Sequence, residues 1–116
     1  MHQGLSIAAS GAALGRRVDL YFFWWALERL LTGRLDEPDF PEREDIAARF
    51  EARGLPTIRV LLGHLRDSGQ VTLIGCSGSL AALGLTPAHA AGKVDTILGW
   101  TAILARSEGV TDRFYL

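Results

Sequence analysis

One cysteine, Cys76, is the side chain in this sequence best suited to covalent chemistry. It follows residues 71–75 (VTLIG), a strand by length and content, and precedes a short Ser/Gly segment, a pattern that predicts a turn from a buried strand into a helix. Unpaired N–H groups at a helix N-terminus favour a thiolate, and glycines on both sides allow a tight turn and a close ligand approach. The residues predicted to support Cys76 are Gly75, Ser77, Gly78 and Ser79.

The alternative interpretation of Cys76 is a buried, inert packing residue, which is common for free cysteines. A reactive thiol would have to be accessible and have a lowered pKa. His64 and His89 lack metal-ligand spacing and are interpreted as surface or core-edge residues. The alternative is a general base near Cys76, for which His89 is the nearer candidate in sequence. The segment around Cys76 also departs from G-x-S-x-G, since Ser79 replaces the last glycine, so a serine hydrolase is not indicated.

Four consecutive aromatic residues, Phe22 to Trp25, stand at the end of the first predicted strand. Packing in the core or against another subunit is the main interpretation. Parallel strands end at a common edge, so Trp24 and Trp25 are also candidate ligand-binding residues beside Cys76.

The elements that must position these residues alternate between helical and strand patterns, which indicates an α/β fold with a parallel sheet. Helices are predicted over residues 2–14, 25–31, 42–53, 57–67, 80–83 and 97–106, and strands over residues 18–23, 71–75 and 110–116. The charged, proline-containing segment 34–44 is predicted to be a solvated loop, with a lid or an oligomer contact as the alternative. Its carboxylates Asp36, Glu37 and Asp39 are interpreted as loop residues rather than a metal site.

Composition limits the function classes further. The chain has 116 residues, 48% of them hydrophobic, and a formal net charge of −1, which predicts a single domain over residues 1–116 without a nucleic-acid-binding surface. A single cysteine excludes an internal disulfide and a cysteine-rich zinc site. The longest apolar run, residues 20–27, is too short to span a membrane. We therefore expect a cytoplasmic protein, and the absence of nucleotide-binding glycine motifs predicts no cofactor.

Three stretches, taken together, resemble the DsrE/DsrF-like family, especially its small stand-alone members. They are residues 8–31 (AASGAALGRRVDLYFFWWALERLL), residues 71–85 (VTLIGCSGSLAALGL) and residues 94–116. The first resembles the family's small-residue helix and its strand running into Phe and Trp. The second resembles its strand, cysteine and short helix, and the third its closing helix and strand.

The resemblance implies a three-layer α/β/α sandwich with a mostly parallel sheet, and assembly into homo-oligomers. Family members open with a central strand before the helix that here begins near residue 2, so we expect the sheet to lack its first strand. The resemblance also implies a sulfur carrier or sulfurtransferase that holds sulfur as a persulfide on Cys76 and exchanges it with donor and acceptor proteins. The alternative is a non-catalytic oligomeric α/β module for small-ligand binding or assembly, in which Cys76 is structural.

Overall fold

A computed structural model describes residues 1–38 and 45–114 of the chain. The helices are α1 (His2–Ala13), α2 (Trp24–Thr32), α3 (Asp45–Ala52), α4 (Ile58–Asp67), α5 (Ser77–Ala82), α6 (Pro87–Ala90) and α7 (Trp100–Arg106). The strands are β1 (Val18–Phe22), β2 (Val71–Cys76) and β3 (Thr96–Leu98). None of the described helices is long and apolar enough to cross a membrane.

The three strands form a parallel sheet in the order β1-β2-β3, which confirms the predicted α/β class. Val18 pairs with Val71 and Phe22 with Gly75 in the register between β1 and β2. The family resemblance places an additional strand at the centre of the sheet, whereas here β1 and β2 pair directly. Any further strand could therefore join only at an outer edge of β1 or β3.

One face of the sheet carries the main hydrophobic core. Gly75 points to this face, since a Cβ added to it would lie 3.3 Å from Leu27 Cδ1 of α2. Leucines of α2 and α4 recur at helical spacing and bury their side chains against β2, and α1 adds small residues. The core includes Leu5, Ala8, Phe22, Leu27, Leu30, Leu31, Leu61, Leu62, Leu65, Leu73 and Leu80.

The opposite face is covered by α7, which completes three layers. Alternate residues of a strand point to opposite faces, so Asp19 and Phe23 share the face that lies away from Phe22. The Arg106 guanidinium donates to the two Asp19 carboxylate oxygens at 2.7 and 3.1 Å. At the other end of α7, the Trp100 ring stacks on Phe23 with centroids 4.7 Å apart. These two contacts align α7 along β1.

Two predicted elements near the C-terminus are wrong. Residues 97 and 98, predicted as the start of a helix, belong to β3 (Thr96–Leu98), because pairing with β2 outweighs the local helical pattern and the helix begins only after Gly99. The strand predicted over residues 110–116 is not formed by residues 110–114, and residues 115–116 lie outside the described part. The predicted helix over residues 42–53 is observed as α3, with residues 42–44 outside the description.

A side chain extends the pairing of β2 just before β3 begins. The Asp95 backbone N–H donates to the Leu73 carbonyl at 2.9 Å, and the Leu73 N–H donates to Asp95 Oδ2 at 2.7 Å. Leu73 itself has no exposed surface, so its N–H depends on the exposed Asp95 carboxylate as its hydrogen-bond acceptor. The Asp95 carboxylate therefore acts in place of a strand carbonyl.

Replacing Asp95 with alanine should lower the free energy of unfolding by about 1–3 kcal/mol, because the buried Leu73 N–H loses its acceptor. Asp95→Asn keeps an amide oxygen that can accept the same hydrogen bond, so its loss should be smaller, below about 1 kcal/mol. Urea denaturation of both variants measures the difference. Equal losses would contradict this role of the side chain.

Candidate functional site

Cys76 lies at the predicted transition from strand to helix. It is the last residue of β2 and the N-cap of α5, at the carboxyl edge of the parallel sheet. Ligands of open α/β sheets bind at this edge. The accessible thiol required for a reactive cysteine is not observed, because Cys76 is only 1% exposed. Strand alternation places its side chain on the α7 face. The last four residues of β2 are buried, so this end of the strand is covered on both faces.

The segment beside Cys76 is the exposed first turn of α5, which we call the Ser77–Gly78 turn. Ser77 and Gly78 are exposed, whereas Ser79 is buried. A Cβ added to Gly78 would lie 3.8 Å from Cys76 Sγ, so the glycine backbone lies directly beside the sulfur. A Cβ added to Gly99 would lie 3.4 Å from Ser77 Oγ, which places the turn between β3 and α7 against the same segment.

The structure separates the predicted supporting residues into two groups. Ser77 and Gly78 form the outer surface above the thiol. Gly75 instead faces the core, where its missing side chain lets α2 pack closely on β2. Gly99 was not among the sequence-predicted site residues. Its position between a β-branched run and Trp100 is the one local signal for a third turn at this edge.

Aromatic side chains surround the carboxyl edge, and we call Phe23, Trp24, Trp25 and Trp100 the aromatic rim. Trp24, Trp25 and Trp100 are 51%, 69% and 57% exposed, so the predicted core packing does not apply to the first two. The β1–β2 register places Phe23 level with Cys76. Trp100, which the sequence did not single out, joins the rim through its stacking on Phe23.

Trp24 has a left-handed backbone conformation. Its φ of 44° makes it the one non-glycine residue with a positive φ in the described part of the chain. This conformation brings a Cβ too close to the carbonyl oxygen and costs roughly 1–2 kcal/mol for an L-residue. The sharp turn from β1 into α2 is thus strained, and it holds the Trp24 indole at the surface.

The free energy of unfolding of the Trp24→Gly variant should exceed that of the Trp25→Gly variant by at least about 1 kcal/mol. Glycine relieves the strain at position 24, whereas at position 25 it only removes an exposed indole and weakens a helix. Each variant removes one indole from the aromatic rim, so the two variants are matched controls for each other. Equal urea midpoints would contradict strain at Trp24.

His89 and the loop carboxylate Asp36 have structural partners. The Thr86 N–H donates to His89 Nδ1 at 3.0 Å in a capping box of α6, and His64 is exposed on α4. Asp36 accepts from the Arg59 N–H at 3.0 Å and from its guanidinium at 3.3 Å. Asp39 lies outside the described residues. Within residues 1–38 and 45–114, no three His, Cys, Asp or Glu residues are grouped to hold a metal ion.

The fold and this edge define an α/β protein with a buried cysteine at the carboxyl end of its central strand. No protein-family model matches the sequence. No curated protein has a significant match to it.

Proposed function

We propose that this protein is a sulfur carrier that holds sulfane sulfur as a persulfide on Cys76 and passes it to a partner thiol. The observation that supports this proposal is the position of the chain's one cysteine, which ends the central strand at the carboxyl edge and turns directly into α5. The proposal also rests on the resemblance of residues 8–31 and 71–85 to DsrE/DsrF-like proteins.

The chemistry requires only a thiolate and a sulfane donor. The Cys76 thiolate attacks the outer sulfur of thiosulfate, the S–S bond of thiosulfate breaks, and sulfite leaves with the bonding electron pair. The resulting persulfide is attacked at its outer sulfur by an acceptor thiolate. That step regenerates the Cys76 thiolate and leaves the acceptor as a persulfide, with no external oxidant or reductant.

Burial makes this transfer conditional on a local opening. The thiol is 1% exposed, and the exposed first turn of α5, Ser77–Gly78, lies beside it. A small displacement of this turn gives a donor or acceptor protein access to the sulfur, and the closed turn protects the persulfide from other thiols. A persulfide cycle needs a reducing compartment, so a cytoplasmic location belongs to the same proposal.

Assembly into a homo-oligomer is part of the proposal. The exposed indoles of the aromatic rim are a typical composition for the centre of an interface. The sheet also has two outer edges, on β1 and β3, that pair with no other described strand. A second copy that covers the rim would lie next to the Ser77–Gly78 turn.

The second candidate function is a non-catalytic module for small-ligand binding or assembly. The nearly complete burial of Cys76 favours it, because a free cysteine inside a protein is usually a packing residue. In this case the aromatic rim alone would carry the function, and the thiol would contribute only to stability.

Incubation with thiosulfate or polysulfide, followed by intact-protein and peptide mass spectrometry, separates the two functions. The carrier should gain one sulfur atom on the Cys76 peptide and lose it when a thiol is added, and Cys76→Ala should gain none. If the folded protein gains no sulfur and Cys76 reacts with alkylating reagents only after unfolding, the sulfur-carrier proposal is wrong and the second candidate stands.

Gly78→Ala should slow sulfur loading several-fold without destabilising the protein, because its methyl group would lie 3.8 Å from the sulfur, on the route of the donor. Gly63→Ala is the matched control, since it makes the same change in a helix where an added Cβ meets open space. The loading rate is measured by quenched mass spectrometry. Equal rates in the two variants would show that the donor does not enter past Gly78.

A further inference from the structure

A polar cleft lies at the amino edge of the sheet, at the opposite end of β2 from Cys76. Its volume is about 360 Å³. It is lined by Arg17, Asp19, Gly69, Gln70, Thr72 and Arg106. Thr72 and Cys76 are four residues apart on one strand, a separation of about 13 Å, so this cleft is distinct from the proposed sulfur site.

The one carboxylate that lines the cleft, Asp19, is already paired with Arg106. Asp19 accepts two hydrogen bonds from Arg106, at 2.7 and 3.1 Å, and a third from the Tyr21 hydroxyl at 3.3 Å. Burial, and then the neighbouring Asp19 carboxylate, raise the pKa of Tyr21 above its ordinary value, so its hydroxyl stays protonated and donates. Asp19 therefore presents little free negative charge to a ligand.

The other polar side chains of the cleft have donors with no acceptor among the described residues. Arg17 is exposed and has no ion pair or hydrogen bond with any residue of the described ranges, whereas its neighbour Arg16 is paired with Asp112 at 2.7 Å. The Gln70 amide and the Thr72 hydroxyl also have no side-chain hydrogen bond to the described residues. With two arginines and one carboxylate, the lining carries a net positive charge.

We propose that this cleft binds a small molecule through an oxyanion group, either a phosphate or a carboxylate. The Arg17 guanidinium supplies a charged fork of N–H donors that matches the oxygens of such a group. Thr72 of β2 and Gln70, which directly precedes β2, add neutral donors. Arg106 holds Asp19 and lines the opposite side of the cleft.

The proposal is tested by titrating the ¹⁵N-labelled protein with inorganic phosphate and, separately, with acetate, at ionic strength held constant with chloride. Saturable shifts should be confined to the amides of residues 17–19, 69–72 and 106. The anion that binds more tightly identifies the group. Arg17→Gln should weaken this binding about tenfold, the effect of losing one charged hydrogen-bonding group. Thr72→Val should weaken it less, since only a neutral donor is lost.

Arg53→Gln is the matched control, because it removes the same charge from an exposed arginine after α3 that lines no part of this cleft. It should leave the affinity unchanged. The proposal is overturned if neither anion gives saturable shifts, or if Arg53→Gln weakens binding as much as Arg17→Gln. Both substitutions replace exposed side chains, and the spectra of the variants will show directly whether they remain folded.

Discussion

The parallel pairing of β2 between β1 and β3 is the constraint on which the rest of the structure depends. It brings the carboxyl ends of the strands to one edge, where Cys76, Gly99 and the aromatic rim meet. It also leaves the amino ends of β1 and β2 together at the other edge, where the polar cleft lies. The Asp95 carboxylate completes this pairing before β3 begins, by accepting from the N–H of the buried Leu73.

The two faces of β2 separate the hydrophobic core from the two candidate sites. Leu73 and Gly75 point into the leucine-rich core, where tight packing against α2 fixes the strand. Thr72 and Cys76 point to the face covered by α7. This helix is held at both ends, by stacking of Trp100 on Phe23 and by the Arg106–Asp19 ion pair. A displacement of α7 would thus alter the aromatic rim and the polar cleft together.

The sequence predicted most of the elements that depend on strong local patterns. Residues 71–75 are rich in β-branched side chains, which places β2 correctly. Residues 57–67 repeat leucines at helical spacing after the N-cap Thr57, which places α4 correctly. The three-residue β3 was missed because it is too short to show alternation and is formed by pairing with β2. The strand predicted at residues 110–116 relied on β propensity alone, and residues 110–114 have no strand partner.

The sequence predicted where Cys76 lies in the fold, but it did not predict that the thiol is buried. Strand and glycine patterns place Cys76 at a turn, yet its burial depends on how α5 and the Gly99 turn pack, which the sequence does not specify. The left-handed conformation of Trp24 is equally hidden, because tryptophan has no preference for a positive φ. The polar cleft combines residues from β1, β2 and α7 that no local motif connects.

The central claim is that Cys76 reacts from the folded protein through a local opening of the Ser77–Gly78 turn. Its most direct test is the alkylation rate of Cys76 in wild type and in Leu65→Ala, a variant weakened in the hydrophobic core on the other face of the sheet. A local opening predicts the same rate in both proteins, since the global free energy of unfolding does not enter it. A rate that rises in proportion to the unfolded population of Leu65→Ala would show that the thiol is reached only by global unfolding, and would contradict the account.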